Sequence, residues 1–231
     1  MRKLFIIALL ASTFNALSEE TISRWMSDYF QRIHGFIADE NYEKALYELE
    51  MGVNSYFRNG RTYEAALCYQ LYGQYFAVQS QYTDAVPWFE KALATDKMPR
   101  IGMQEVRFQL AQTYFMIGKY KNVIPLLEEF IRVGERYKYP VSARINLLMS
   151  YSHGRMDEYE SAYFHITQAN NKSDKPQIDW IEYAFSLAMK LENLDDAEDL
   201  GTRLLFLEPN KKKYWNQVSP LYFSKDYELD S

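Results

Sequence analysis

One tetrapeptide pattern returns four times: Tyr42-Glu43-Lys44-Ala45, Tyr82-Thr83-Asp84-Ala85, Tyr120-Lys121-Asn122-Val123 and Tyr159-Glu160-Ser161-Ala162. A fifth copy, Leu194-Asp195-Asp196-Ala197, puts leucine in the aromatic place. The small residues that close the copies lie 40, 38, 39 and 35 residues apart. A fixed period of this size means stacked supersecondary units.

Neighbouring positions recur in step with the small slot. Four residues after it come Leu49, Phe89, Leu127, Ile166 and Gly201. Nine before it come Phe36, Phe76, Tyr114, His153 and Ala188, and twelve before it Ile33, Gly73, Ala111, Ser150 and Phe185. Spacings of three and four place residues on one helical face. Each unit therefore reads as two amphipathic helices, the second starting at the tyrosine. The small residue lets the pair approach closely at its crossing, and the tyrosine is expected to pack its ring back on the first helix. Neither helix can bury its apolar face alone, so the units must stack. Pro87 and Pro125 each fall two residues after a small slot, read as the first turns of their helices, where a missing N–H is tolerated.

Composition agrees with a helical chain of short turns. Among 231 residues there are 20 Tyr but only 9 Gly and 7 Pro, so strong helix breakers are scarce. The net charge of −5 and the absence of a basic stripe argue against a phosphate-backbone ligand. Lys211-Lys212-Lys213, the densest basic run, reads as a solvated turn. The single cysteine, Cys68, permits no intramolecular disulfide and reads as a small core residue.

The segments Leu110 to Tyr120 (LAQTYFMIGKY) and Leu71 to Phe76 (LYGQYF), with Ala85 and Phe89-Glu90-Lys91-Ala92-Leu93, resemble the tetratricopeptide-repeat (TPR) family. Leu207-Glu208-Pro209-Asn210 is similar to that family's usual exit from the second helix. The resemblance covers residues 22–228. It implies an all-α, right-handed superhelical array of antiparallel helix pairs, with about five pairs and a terminal helix across residues 19–231. The spacing exceeds the family's period of about 34, so HEAT-type units stay open as an alternative, although Tyr-x-x-Ala and Gly118 favour TPR. The last unit reads as incomplete, either a cap or a truncation.

Residues 1–18 read as a signal peptide. Arg2 and Lys3 precede the apolar run Leu4 to Ala11, and Ala16 and Ser18 suit cleavage before Glu19. The run is shorter than the roughly 20 residues a membrane span needs, so no transmembrane segment is expected after cleavage. Removal of Arg2 and Lys3 would bring the net charge from −5 to −7. The absence of a cysteine after the run argues against a lipoprotein, and a periplasmic location is expected.

Catalytic or cofactor chemistry has no visible seat. His34, His153 and His165 make no metal-ligand spacing with one another or with Cys68. No phosphate-binding glycine loop and no Gly-x-Ser-x-Gly motif occurs. The expectation is a non-enzyme with no cofactor and no metal, which binds another protein or peptide segment.

The TPR resemblance implies that first helices line a groove. It places Phe108, Gln112 and Phe115 there from the third unit. From the fourth come Arg144, Leu147 and Tyr151, and from the fifth Glu182, Ser186 and Met189. This mixed surface suits a peptide or helix, and with Arg144 its only cation it does not suit an acidic tail. The leader, the opening Tyr-Glu-Lys-Ala unit and Tyr214 to Tyr222 (YWNQVSPLY) are similar to periplasmic TPR proteins that accompany TonB–ExbB–ExbD systems. That resemblance implies an adaptor with a TonB- or ExbD-type partner. An envelope assembly factor, for outer-membrane proteins or cell-wall synthesis, is the alternative. A structural oligomer and an enzyme rank below it.

Overall fold

A computed structural model describes residues 24–58, 62–175 and 177–229. The expected leader and its Ser18–Glu19 cleavage point lie outside the described residues. Eleven helices and no strand occur among the described residues. They are α1 (Arg24–Ala38), α2 (Tyr42–Arg58), α3 (Thr62–Val78), α4 (Tyr82–Ala94), α5 (Arg100–Met116) and α6 (Tyr120–Tyr137). They continue as α7 (Ala143–Gly154), α8 (Tyr159–Asn171), α9 (Ile178–Lys190), α10 (Leu194–Leu207) and α11 (Lys212–Leu229). The chain divides into two compact units, one through Val133 and one from Gly134. The boundary falls inside α6, whose last residues belong to the second unit.

The turns inside the pairs share one construction. Two residues before each Tyr or Leu slot the backbone turns left-handed, at Glu40, Ser80, Gly118, Asp157 and Glu192, with φ between 55° and 76°. The next residue then donates its N–H five residues back. Asn41 reaches the carbonyl of Phe36, Gln81 that of Phe76 and Lys119 that of Tyr114, at 2.7 to 2.9 Å. Glu158 reaches His153, and Asn193 reaches Ala188, both at 3.0 Å. The left-handed residue itself bonds three back, as Ser80 does to Ala77 at 3.0 Å. This double closure is the Schellman motif, which satisfies orphan carbonyls at a helix end. The nine-before position thus supplies a ring or side chain to the packing and a carbonyl to the turn. Asn41 and Asn193 also cap the following helix, their side chains accepting from the N–H of Lys44 and Asp196 at 3.4 Å.

The small slots are buried without remainder: Ala45, Ala85, Val123, Ala162 and Ala197 are each 0% exposed. Close crossing also explains two glycines. A Cβ on Gly73 of α3 would lie 2.5 Å from the ring of Phe89 on α4, and one on Gly201 of α10 would lie 2.5 Å from Val218 on α11. In the second unit, Phe185, Ala188, Leu204, Tyr214 and Val218 form one cluster across α9, α10 and α11. A second cluster joins Ala162, Ile166 and Ala169 of α8 to Ala184 and Leu187 of α9. Cys68 is fully buried, and burial pushes its thiol up to about 12.

Two local expectations change. Pro87 and Pro125 lie beyond the first turn of α4 and α6, since Ala85 already bonds back to Gln81. Each proline and the residue four before it, Thr83 or Lys121, is exposed, so water can serve the freed carbonyl. The slot tyrosines do not all turn back. Tyr120 meets Phe115 of its own first helix at 5.3 Å, but Tyr42 meets Tyr75 of the next first helix, α3, at 6.1 Å. Tyr159 lies under the ammonium of Lys190 on α9, at 3.7 Å. A second helix sits between its own partner and the next pair, so its leading ring can serve either. Tyr82 is partly buried.

The turn geometry gives opposite expectations for two substitutions. Ser80→Gly relieves a left-handed serine and should stabilise by about 0.5–1 kcal/mol, whereas Gly118→Ala should destabilise by about 1 kcal/mol. Denaturant midpoints measure both, and a loss of stability in Ser80→Gly would contradict the shared turn.

Candidate partner-binding site

In the first unit, α3 and α5 bury a row of amides. Gln70, Gln74, Gln109 and Gln112 are each at most 7% exposed. Gln70 Nε2 donates to Gln109 Oε1 at 3.2 Å, and Gln109 Nε2 donates to Glu105 Oε1 at 3.1 Å, tying α3 to α5. Gln74, one turn along α3, is fully buried, and both its amide atoms lack a hydrogen-bond partner among the described residues. Sequence reasoning missed this row because an isolated Gln in a helix reads as solvent-facing. The legible signal was its spacing, since Gln70 and Gln74 share a face at i, i+4.

The groove residues assigned to the third unit behave differently from one another. Gln112 belongs to the buried row. Phe108 meets Phe130 of its partner helix α6, ring edge to face at 6.4 Å, and Phe115 packs on Tyr120. Both aromatics are therefore held within their own helix pair.

In the second unit, Arg144 is exposed at the start of α7. Leu147 packs against the Ala162–Ile166–Leu187 cluster. Tyr151 is half-buried with its ring 5.0 Å from Tyr183 of α9. Glu182, Ser186 and Met189 of α9 come together in a cleft of about 340 Å³. Its floor is Phe185 and Leu204, and α11 supplies Lys213 and Gln217, which sequence reasoning had not assigned. Those two lie four residues apart on one face of α11.

The polar groups at this cleft are largely engaged. Lys213 Nζ lies 3.0 Å from Glu182 Oε1, and the hydroxyl of Ser186 donates to the Tyr183 carbonyl at 2.7 Å. Tyr214 is only 1% exposed, and its hydroxyl sits between the carboxylates of Glu182 and Glu208. The Tyr214 hydrogen bond, followed by Lys213, holds the Glu182 carboxyl below the usual carboxylate range. Burial, followed by Glu182, pushes the Tyr214 hydroxyl up to about 12. Lys211 Nζ pairs with Glu208 Oε2 at 2.6 Å.

The three histidines are partly buried, and two of them pair. His153 and His165 stack nearly parallel, 5.4 Å apart, and His153 Nδ1 lies 2.6 Å from Glu158 Oε2. Burial and then His153 push His165 down to about 4. His34 is partly buried, and burial lowers its pKa. No group of His, Cys, Asp or Glu among the described residues could hold a metal ion, and no helix there is long and apolar enough to cross a membrane.

No protein-family model matches the chain, and no curated protein shows significant sequence similarity to it. Solved structures do match. MamA (residues 41 to end) from Desulfovibrio magneticus RS-1 aligns with TM-score 0.62 at 18% identity, over 83% of this chain and 99% of that one. YrrB, described as a TPR protein with an unusual peptide-binding site, aligns at 0.60 and 17% identity, over 81% of this chain and 89% of its own. PilW, a type IV pilus biogenesis factor, aligns at 0.51 and 10% identity, over 84% and 99%. The chain thus has the TPR fold, with its helices packed in adjacent pairs.

The amide row makes a paired expectation. Gln74→Leu removes two unpartnered polar atoms and should stabilise the fold by about 1–3 kcal/mol, whereas Gln70→Leu leaves Gln109 without its donor and should destabilise it. Thermal unfolding compares them, and a fall in both would mean that Gln74 is satisfied in solution. The histidine stack gives a pH dependence. A folded-state pKa lowered from 6.5 to about 4 makes neutral His165 supportive above pH 6.5. That support should fade as pH falls from 6.5 towards 4. His165→Phe should flatten this part of a stability–pH curve, and an unchanged slope would assign the loss to other groups.

Proposed function

We propose that this chain is an exported, non-catalytic scaffold that holds a protein partner on the first-helix face of its repeats. The observation that carries the reading is the cleft between α9 and α11. There, Glu182, Ser186 and Met189 of α9 meet Lys213 and Gln217 of α11 above the buried Phe185 and Leu204. Concave sites between helices are where ligands and peptides seat. YrrB's description names a peptide-binding site on the same fold, which supports the reading without transferring that site.

The location proposed is the periplasm, from the three-part leader with cleavage at Ser18–Glu19. The narrower partner proposed is a TonB- or ExbD-type protein, from the resemblance carried by the leader and the Tyr214 to Tyr222 segment. PilW's role in pilus biogenesis favours, as a second reading, assembly of envelope structures.

Photo-crosslinking in cells tests this. A crosslinker at Met189 or Gln217 should give discrete protein adducts, and one at the exposed Phe206 should not. Met189→Asp, with helicity unchanged, should weaken partner capture about tenfold or more. The mature N-terminus, read by mass spectrometry of the envelope fraction, should be Glu19. Adducts from Phe206 alone would remove the cleft from the reading, and an uncleaved cytoplasmic protein would remove export.

A further inference from the structure

The two packed faces of α9 give a register for α11. Ala184 and Leu187 of α9 pack on the preceding second helix, α8, while Ile181, Phe185 and Ala188 cluster with Ala197 and Leu204 of its own second helix, α10. On α11, Val218 and Leu221 join the preceding second helix, α10, and they stand 34 residues after Ala184 and Leu187. The same step carries Ile181, Phe185 and Ala188 onto Trp215, Ser219 and Tyr222. On α9 those three positions are at most 5% exposed, whereas Trp215 is 51% and Tyr222 39% exposed, with Ser219 partly open between them. Among the described residues no second helix follows α11. A helix that caps an array turns a polar outer face to water, and this face carries two aromatic rings. Trp215 Nε1 donates to the Pro209 carbonyl at 2.8 Å, the Ser219 hydroxyl donates to the Trp215 carbonyl at 2.6 Å, and the Tyr222 hydroxyl bonds that of Thr202. The chain itself thus engages the polar atoms, and what faces outward is ring surface.

Such a face is matched by a helix with a small residue at the crossing and apolar side chains one turn to either side. That is the pattern of the second helices, as in Tyr82, Ala85 and Phe89. The last helix has the same pattern itself, with Ser219 between Trp215 and Tyr222. When two copies of α11 lie antiparallel about a two-fold axis at Ser219, the helices approach at the small residues. Trp215 of each copy then covers Tyr222 of the other, a self-complementary contact between rings. We infer that the outward face of α11 pairs with the same face of a second copy of the chain, each α11 standing in as the other's second helix. Gln217 of the cleft is two residues from Ser219, about 200° around the helix. The contact is therefore separate from the cleft and does not rest on the partner reading above.

Sedimentation equilibrium of the full mature chain tests this. Between about 1 µM and about 1 mM the chain should pass from monomer to dimer. Trp215→Ala should weaken the dimer about tenfold or more. Ser219→Glu, which sets like charges on the axis, should leave a monomer whose helicity and thermal midpoint stay near the parent's. Under mild oxidation Ser219→Cys should give a disulfide-linked dimer and Gln217→Cys should not. The native Cys68 is buried and takes no part. Met189→Asp, in the cleft, should leave the dimer as it is. The inference is overturned by a chain that stays monomeric throughout, by a dimer that survives Ser219→Glu, or by one that Met189→Asp dissolves. Equal crosslinking of the two cysteine variants overturns it as well. A monomer in which a crosslinker at Trp215 captures a different protein gives the face to a partner's helix, and the second copy is then the wrong occupant.

Discussion

Each helix pair depends on a turn closed by a hydrogen bond that spans five residues. It runs from the N–H just before the second helix to a carbonyl in the last turn of the first, and it recurs in all five pairs. With the left-handed residue beside it, it reverses the chain in a fixed number of residues. The first crossing position of the second helix, Ala45, Ala85, Val123, Ala162 or Ala197, is thereby set against the first helix. Close approach follows, and so do the ring that fills the notch at Gly73 and the apolar clusters of the second unit. A bulky residue at the crossing or a lengthened turn would misalign every contact downstream within that pair.

The period, the helix pairs and the crossing residues were legible because each shows itself in side-chain size at a regular spacing. The turn was legible only at Gly118. Glu40, Ser80, Asp157 and Glu192 adopt the same left-handed conformation without being glycine, and polar residues in a turn look alike in sequence whatever their φ. The displaced prolines and the forward-facing Tyr42 and Tyr159 were also out of reach. They depend on which neighbour a second helix touches, and the periodicity within one pair does not encode that.

The candidate site was legible in part for a related reason. Counting from the twelve-before position led to Glu182, Ser186 and Met189, which share the cleft. The same count led to Phe108 and Phe115, whose rings pack on Phe130 and Tyr120. Both rings stay partly exposed while touching their own second helix, so the count alone does not separate a groove contact from a contact within the pair. Lys213 and Gln217 were missed because the last helix has no small slot from which to count. The two units also treat polarity differently. The first buries neutral amides along α3 and α5, leaving Gln74 unmatched, while charges around the second unit's cleft are paired. An unmatched amide marks a place where the fold is not at its most stable.

The uniform turn also bears on how such a chain can change length over generations. The turn is the same length in every pair, so the spread in repeat length from 35 to 40 residues is carried by the helices and by the connections between pairs. The stretch from Thr95 to Pro99 and the one from Lys138 to Ser142 are two such connections, and neither contains a small crossing residue. Residues can be gained or lost there without moving a crossing, whereas one extra residue in the turn would break the five-residue closure that sets the second helix. Lineages carrying this architecture should therefore accumulate insertions at alternate junctions, leaving the turns between paired helices uniform in length even where sequence identity has faded below recognition.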